Sequence, residues 1–175
     1  PSIEGLEQEL AINPRDIKAP TYGMTKWFDL FSNRQLTALQ TLSALVAEAK
    51  ALAVQHAVSA GRRMGITLAE GGREAKAYGD AIATYLAFGV SRQTNRSSSL
   101  SFWDNTSEKI QQVFGRQAIP MVWDFAEANI FSTSTGNFLD QVEFPAKCVA
   151  GSFVQGIAGE VRNVDATRLE ISNNT

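Results

Sequence analysis

The apolar positions of this chain fall at helical spacing over two long stretches and lose that regularity elsewhere. Ser32-Asn33-Arg34-Gln35 matches a capping box, in which the Ser hydroxyl takes an amide and the Gln side chain reaches back. After it, Leu36, Leu39, Leu42, Leu45, Val46, Ala49, Leu52 and Ala53 make a wide apolar stripe. The pattern predicts a long helix from about Asn33 to about Ser59. Trp27, Phe28, Leu30 and Phe31 stand just before it and should staple its entry to the core, while Gly61 and Gly65 end it. Gly71-Gly72 opens a second helical stretch in which Tyr78, Ile82, Tyr85, Leu86 and Gly89 recur at helical spacing. Gly79 and Gly89 lie near that face, which predicts the close approach of another helix. The pattern fades in the Ser-, Thr- and Asn-rich run 94–99.

The remaining elements rest on shorter signals. Asn105-Thr106-Ser107-Glu108 resembles another capping box, and Ile110, Val113 and Phe114 would supply one face of a short helix ended or kinked at Gly115. Pro120 suits the first turn of a further helix that would bury Met121, Val122, Phe125 and Ala128. Residues 131–137 read as a turn, and Phe138 to Val149 as a last helix with Pro145 inside it. Pro14 and Pro20 disfavour helix in the residues before them, so 1–20 reads as an extended lead-in or linker. Val161 to Ala166 reads as a short strand ending in an acidic residue. The expected fold is mainly α, a helical domain of about five or six helices over 21–150. A strand-containing tail follows over 151–175.

Composition narrows the function classes. The 175 residues allow one domain with a core, and the net charge of −2 does not describe a polycation. No apolar run reaches the ~18–20 residues that span a bilayer, and 1–10 lacks the basic-then-apolar pattern of a secretory signal. Cys148 is the one cysteine and His56 the one histidine, so neither a disulfide nor a usual structural zinc site of about four ligands is expected. Haem and iron–sulfur ligation are equally unsupported. The cysteine usage fits the cytoplasm. Charge is uneven: Lys50, Arg62, Arg63, Arg73, Lys76, Arg92 and Arg96 stand against Glu70, Glu74 and Asp80, whereas the chain after Leu100 is acidic. That is either a basic binding face or a solvated helix surface.

Candidate chemistry is sparse. There is no GxSxG, P-loop or GxGxxG, and no partner is evident for His56, which reads as structural or surface. Cys148 reads as a buried, inert thiol. Asp124 and Glu127 would be neighbours on a helix, able to orient a base or to bind Arg116. The run from Arg92 to Trp103 interleaves two Arg, two side-chain amides, four Ser and two aromatics. It can contact phosphates and stack on bases, or it can be a polar loop pinned by Phe102 and Trp103.

Several longer strings carry a family resemblance. They are Tyr22-Gly23-Met24-Thr25, the run Asp29 to Leu36, Ala77-Tyr78, Tyr85 to Phe88, Ser98-Ser99-Leu100 with Trp103-Asp104, Arg116 to Glu127, and Gly136-Asn137-Phe138. Together they resemble the central domain of unknown function in large bacterial and archaeal proteins classed as adenine-specific DNA methylases. The likeness spans about Thr21 to Val149. It implies a helical insertion in an S-adenosylmethionine-dependent methyltransferase. In that family a glycine-rich Asp-Pro-Phe cofactor loop lies upstream. An Asp-Pro-Pro-Tyr motif that holds the target amino group lies downstream. Neither motif occurs here, and the nearest to an Asp-Pro pair is Asn13-Pro14.

The resemblance thus implies no catalytic residue and no cofactor in this chain, with S-adenosylmethionine belonging to the parent protein. Asp165 corresponds to the strand-end acid that contacts the cofactor adenine, and the tail would begin the methyltransferase sheet. Arg92, Arg96, Trp103, Arg116 and Gln117 are the expected nucleic-acid or partner surface. The expected partners are the remainder of the parent and DNA, not a membrane. Two alternatives stand beside it. One is a protein-interaction module, marked by an exposed Trp103 or Trp123 in a contiguous apolar patch. The other is an architectural insert, marked by a buried 116–127 segment with Arg116 paired to a carboxylate.

Overall fold

The structure, a computed structural model, describes residues 5–152 and Asp165. α1 (Asn33–Ser59) starts where the sequence directs it. Ser32 Oγ accepts from the Gln35 amide at 3.3 Å, and Gln35 Oε1 accepts from the Ser32 amide at 2.8 Å. The chain turns at Gly61, passes a short 3-10 turn (Leu68–Glu70) and returns as α2 (Ala75–Thr94). The two helices form an antiparallel hairpin. A Cβ on Gly79 would lie 2.4 Å from Val54 Cγ2 and 3.2 Å from the Lys50 carbonyl oxygen, so the missing side chain is what lets the helices meet. Lys50 pairs with Asp80 at 2.6 Å, and at the tip Arg63 pairs with Glu74 at 3.3 Å. α3 (Phe138–Gly151), capped by Asn137 Oδ1 accepting from the Asp140 amide, packs on α2 at Gly89, beside Val142.

Most of the buried apolar core lies outside these helices. Leu10, Ala19, Leu30, Phe31, Leu100, Val113 and Ile119 form one cluster, with Trp27, Phe114 and Met121 packed on it. The backbone around it is irregular but hydrogen-bonded across long distances. Leu10 N donates to Thr25 O, Lys18 N to Ile119 O, and Ile119 N to Asp16 O. The lead-in is therefore built into this core, through the Glu9–Lys26 and Ile17–Ile119 bridges. Among the bonds that clasp the hairpin to it, the Leu30 carbonyl accepts from Ser98 Oγ, Ser99 Oγ and the Ser99 amide at 2.7–2.9 Å.

The fold is mainly helical, with three α-helices and a two-stranded antiparallel sheet among the described residues, so the expectation of five or six helices is corrected. The first missing helix is the one placed after Ser107. In its place β1 (Trp103–Asp104) pairs with β2 (Lys109–Ile110). Asp104 collects the Thr106 and Ser107 amides, the Ser107 hydroxyl and Gln111 Nε2, which closes a turn instead of starting a helix. Glu108 takes a left-handed conformation there, φ 47°.

The second missing helix began at Pro120. Its neighbour Ile119 is held extended by the bridge to Ile17, as a residue before proline prefers, and the Ala126 amide donates to Ser101 O. The helix-period pairing of Asp124 with Glu127 goes with it. The Val161–Ala166 strand lies outside the described residues, apart from Asp165.

Candidate functional site

The segments that carry the family resemblance meet around this irregular core. Tyr22 stacks edge-on against Trp123, with ring centroids 5.1 Å apart. Arg34 pairs with Glu127 through two guanidinium nitrogens. Leu30 holds Ser98 and Ser99, and Gln93 Nε2 donates to the Gly136 carbonyl at 3.0 Å and to Ser97 Oγ at 2.8 Å. Asn95 adds a further tie, its carbonyl taking the Val113 amide and its Oδ1 the Phe114 amide. Much of the signature is thus spent on bonds between its own parts.

This settles the Arg92–Trp103 run residue by residue. Ser97, Ser98 and Ser101 are buried and all four serines are engaged internally, so none is presented to a phosphate. The residue that pins the run is Leu100, fully buried, whereas Phe102 and Trp103 are exposed. Arg96 is half-buried, and its Nη1 donates to the Ile110 carbonyl at 2.6 Å, which fastens β2 to the end of α2. Burial, with the nearby Arg92 cation, lowers its pKa against the opposing pull of Asp140. Arg92 points elsewhere: its guanidinium lies 4.1 Å from the Phe144 ring centroid, in a groove between α2 and α3.

A cleft of about 710 Å³ opens between the β1–β2 ribbon and the following segment. Phe102, Asp104, Gln111, Gln112, Arg116 and Pro120 line it. Of the five expected surface residues only Arg116 is on this wall. Gln117, exposed, follows it in the chain. Trp103 lies between Phe102 and Asp104 and so alternates to the other side of the strand. Arg116 is exposed and makes no hydrogen bond or ion pair with the described residues, while Glu127 is engaged with Arg34. The Asp104 carboxyl is held below the usual carboxylate range, chiefly by the Ser107 hydroxyl, then by the Thr106 amide and Gln111. It is therefore a fixed anion shaping the cleft and not a proton carrier at neutral pH.

Other expectations meet the geometry as follows. Cys148 is exposed, not buried, because α3 buries only the Gln141–Pro145 side against α2. His56 is exposed in the last turn of α1. Asp124 is exposed outside any helix. The architectural marker fails, since 116–127 is largely exposed and Arg116 has no carboxylate partner among the described residues. Trp103 and Trp123, the latter at 75%, are both exposed, and so are Phe125 and Phe131, nearby in sequence to Trp123. Asp165 is exposed. A nucleotide cofactor of the expected kind needs a strand, a glycine-rich turn and a helix. The described residues offer only two-residue strands joined by a turn, so they do not fit that group.

Among the described residues, no three His, Cys, Asp or Glu side chains are grouped to hold a metal ion. No helix there is long and apolar enough to cross a membrane. No local pattern signals the Arg92–Phe144 contact, which joins residues far apart in the chain. An Asp followed at two and three residues by Thr and Ser was the available signal for the Asp104 turn. No family model, curated protein or solved structure matches the chain.

Proposed function

We propose that this chain is a non-catalytic helical segment of an S-adenosylmethionine-dependent adenine-specific DNA methyltransferase, and that it helps to position nucleic acid at the ribbon cleft. The reading rests on the resemblance of its signature strings. The observation that carries the DNA contact is Arg116, an exposed cation with no ion pair among the described residues, lining the same cleft as exposed Phe102. A guanidinium beside an aromatic ring suits a phosphate and an unstacked base. The chain holds neither an Asp-Pro-Phe nor an Asp-Pro-Pro-Tyr motif, so alone it transfers no methyl group.

Fluorescence anisotropy with labelled single-stranded and duplex oligonucleotides at stepped salt tests this. Binding should weaken as salt rises, and Arg116→Ala should lower the salt slope by about one. Phe102→Ala should weaken single-strand binding about tenfold. Binding that is absent, or indifferent to salt and to Arg116, rules the DNA contact out.

A second reading, a protein-interaction module of a DNA modification or defence system, is favoured by the exposed Trp123 against Tyr22 and by Phe131, 88% exposed. Docking of this kind, onto the remainder of the parent or another protein, would cover those rings without needing Arg116.

A further inference from the structure

The α2–α3 groove carries an inference that stands whether or not the ribbon cleft meets nucleic acid. It has a volume of about 560 Å³. Tyr85, Phe88 and Arg92 line it at i, i+3 and i+7 on α2, and Phe144, Pro145 and Val149 face them from α3. The spacing makes two facing stripes, about 10 Å or two turns along α2 and about 7–8 Å along α3. Tyr85, Phe88 and Phe144 are all exposed.

Arg92 is the one charged residue on this wall, and it is poorly provided for. Its Nε is enclosed and has no hydrogen-bond partner. The ion pairs among the described residues go to Arg34, Lys50, Arg63 and Lys147, none to Arg92. Arg96 repels it, and the acid that acts on Arg96, Asp140, is hydrogen-bonded to Asn137. A guanidinium stacked on a phenyl ring in an apolar furrow is weakly hydrated, and this one has no counter-charge among the described residues. The missing complement is a carboxylate flanked by apolar side chains.

We infer that the α2–α3 groove docks an amphipathic segment of a partner protein, with one Asp or Glu on Arg92 and apolar residues against Tyr85, Phe88 and Phe144. A nucleic-acid strand suits it less well: the lining around Arg92 is apolar on both sides and would leave most of a phosphate backbone without polar contacts. An apolar helix face laid into a furrow needs a single charge to fix its register.

Selection of displayed random 16-residue peptides on the full chain, followed by anisotropy with the synthetic consensus peptide, tests the inference. The enriched peptides should share one acidic residue between apolar ones at helical spacing. Arg92→Gln should weaken the consensus peptide about tenfold or more. Phe88→Glu changes an exposed position and puts a like charge against the peptide. It should weaken binding at least as much, with the circular dichroism of the chain unchanged. Arg73→Gln, at the far hairpin end, should have no effect. Cys148 lines the same groove, so the bound peptide should also slow its alkylation by iodoacetamide several-fold. The inference fails on any of three results: no consensus emerges, acid-free peptides dominate, or the consensus peptide binds Arg92→Gln and Phe88→Glu as tightly as the parent chain. A consensus peptide that leaves Cys148 alkylation unchanged occupies another surface and also overturns it.

Discussion

The α1–α2 hairpin and the irregular core beside it are built on opposite plans. The hairpin is regular and locally specified, yet α1 buries only Gln35, Leu42 and Ala57, and leaves Leu45, Leu52 and Val58 exposed. The core has almost no regular structure, yet it holds Leu30, Leu100, Val113 and Ile119 out of water. Regularity and stability are therefore separate here. The helices are sustained by their own backbone bonds and a narrow seam, while tertiary bonds between distant loops sustain the core.

Mutations that act on one side of this division should separate the two plans. Leu30→Ala opens a cavity in the core and should cost about 2–5 kcal/mol in urea unfolding. Leu45→Ala, on the exposed side of α1, should cost about 0.5 kcal/mol or less. Equal effects would erase the distinction. Gly79→Ala addresses the seam. Its new methyl meets Val54, stiff at χ1 in a helix, and the Lys50 carbonyl, so overpacking should outweigh the gain in helix propensity. A net loss of roughly 1–2 kcal/mol is expected in the same assay, and a gain would mean the two helices do not approach so closely.

Ser32→Ala removes the cap where the core hands over to the hairpin, at about 1 kcal/mol. Hydrogen exchange should then rise in the first turn of α1 and not at Leu100. The smallest effect is a pH dependence in the ribbon. The Asp104 carboxyl titrates below its unfolded value of about 3.9, so its contribution is present above that pH and is lost as pH falls through the folded value. The difference in melting temperature between the parent chain and Asp104→Asn should be constant from about pH 8 to 5 and shrink below about pH 4. A difference that persists into acid would mean that Asp104 is not the charged centre of the turn.

The same division explains what could be read in the sequence. The hairpin and α3 were legible because their signals are local: a capping box, a 3.6-residue period, and glycines where helices touch. The core was not, because its decisive bonds join residues such as Leu30 and Ser98 or Gln93 and Gly136, which no short window contains together. The Asn105–Glu108 misreading has a chemical cause, since hydroxyl and carboxylate side chains that cap a helix also close a turn. The expected binding surface divided for a related reason. Arg92 and Arg96 are one helical turn apart, but Arg96 is committed to the Ile110 carbonyl and Arg92 to the Phe144 face. Only Arg116 kept an open role on the ribbon cleft.

The clasp at the Leu30 carbonyl makes the hairpin a lever. α1 is 27 residues long, about 40 Å; it starts three residues after Leu30, and α2 ends four residues before Ser98. A tilt of about 5° at this fulcrum moves the Gly61–Arg73 tip by about 3–4 Å. Met64, Ile66 and Leu68 at the tip are exposed. A load placed on them would act at long range on Ser98 and Ser99, and through them on the segment that leads through Phe102 into β1.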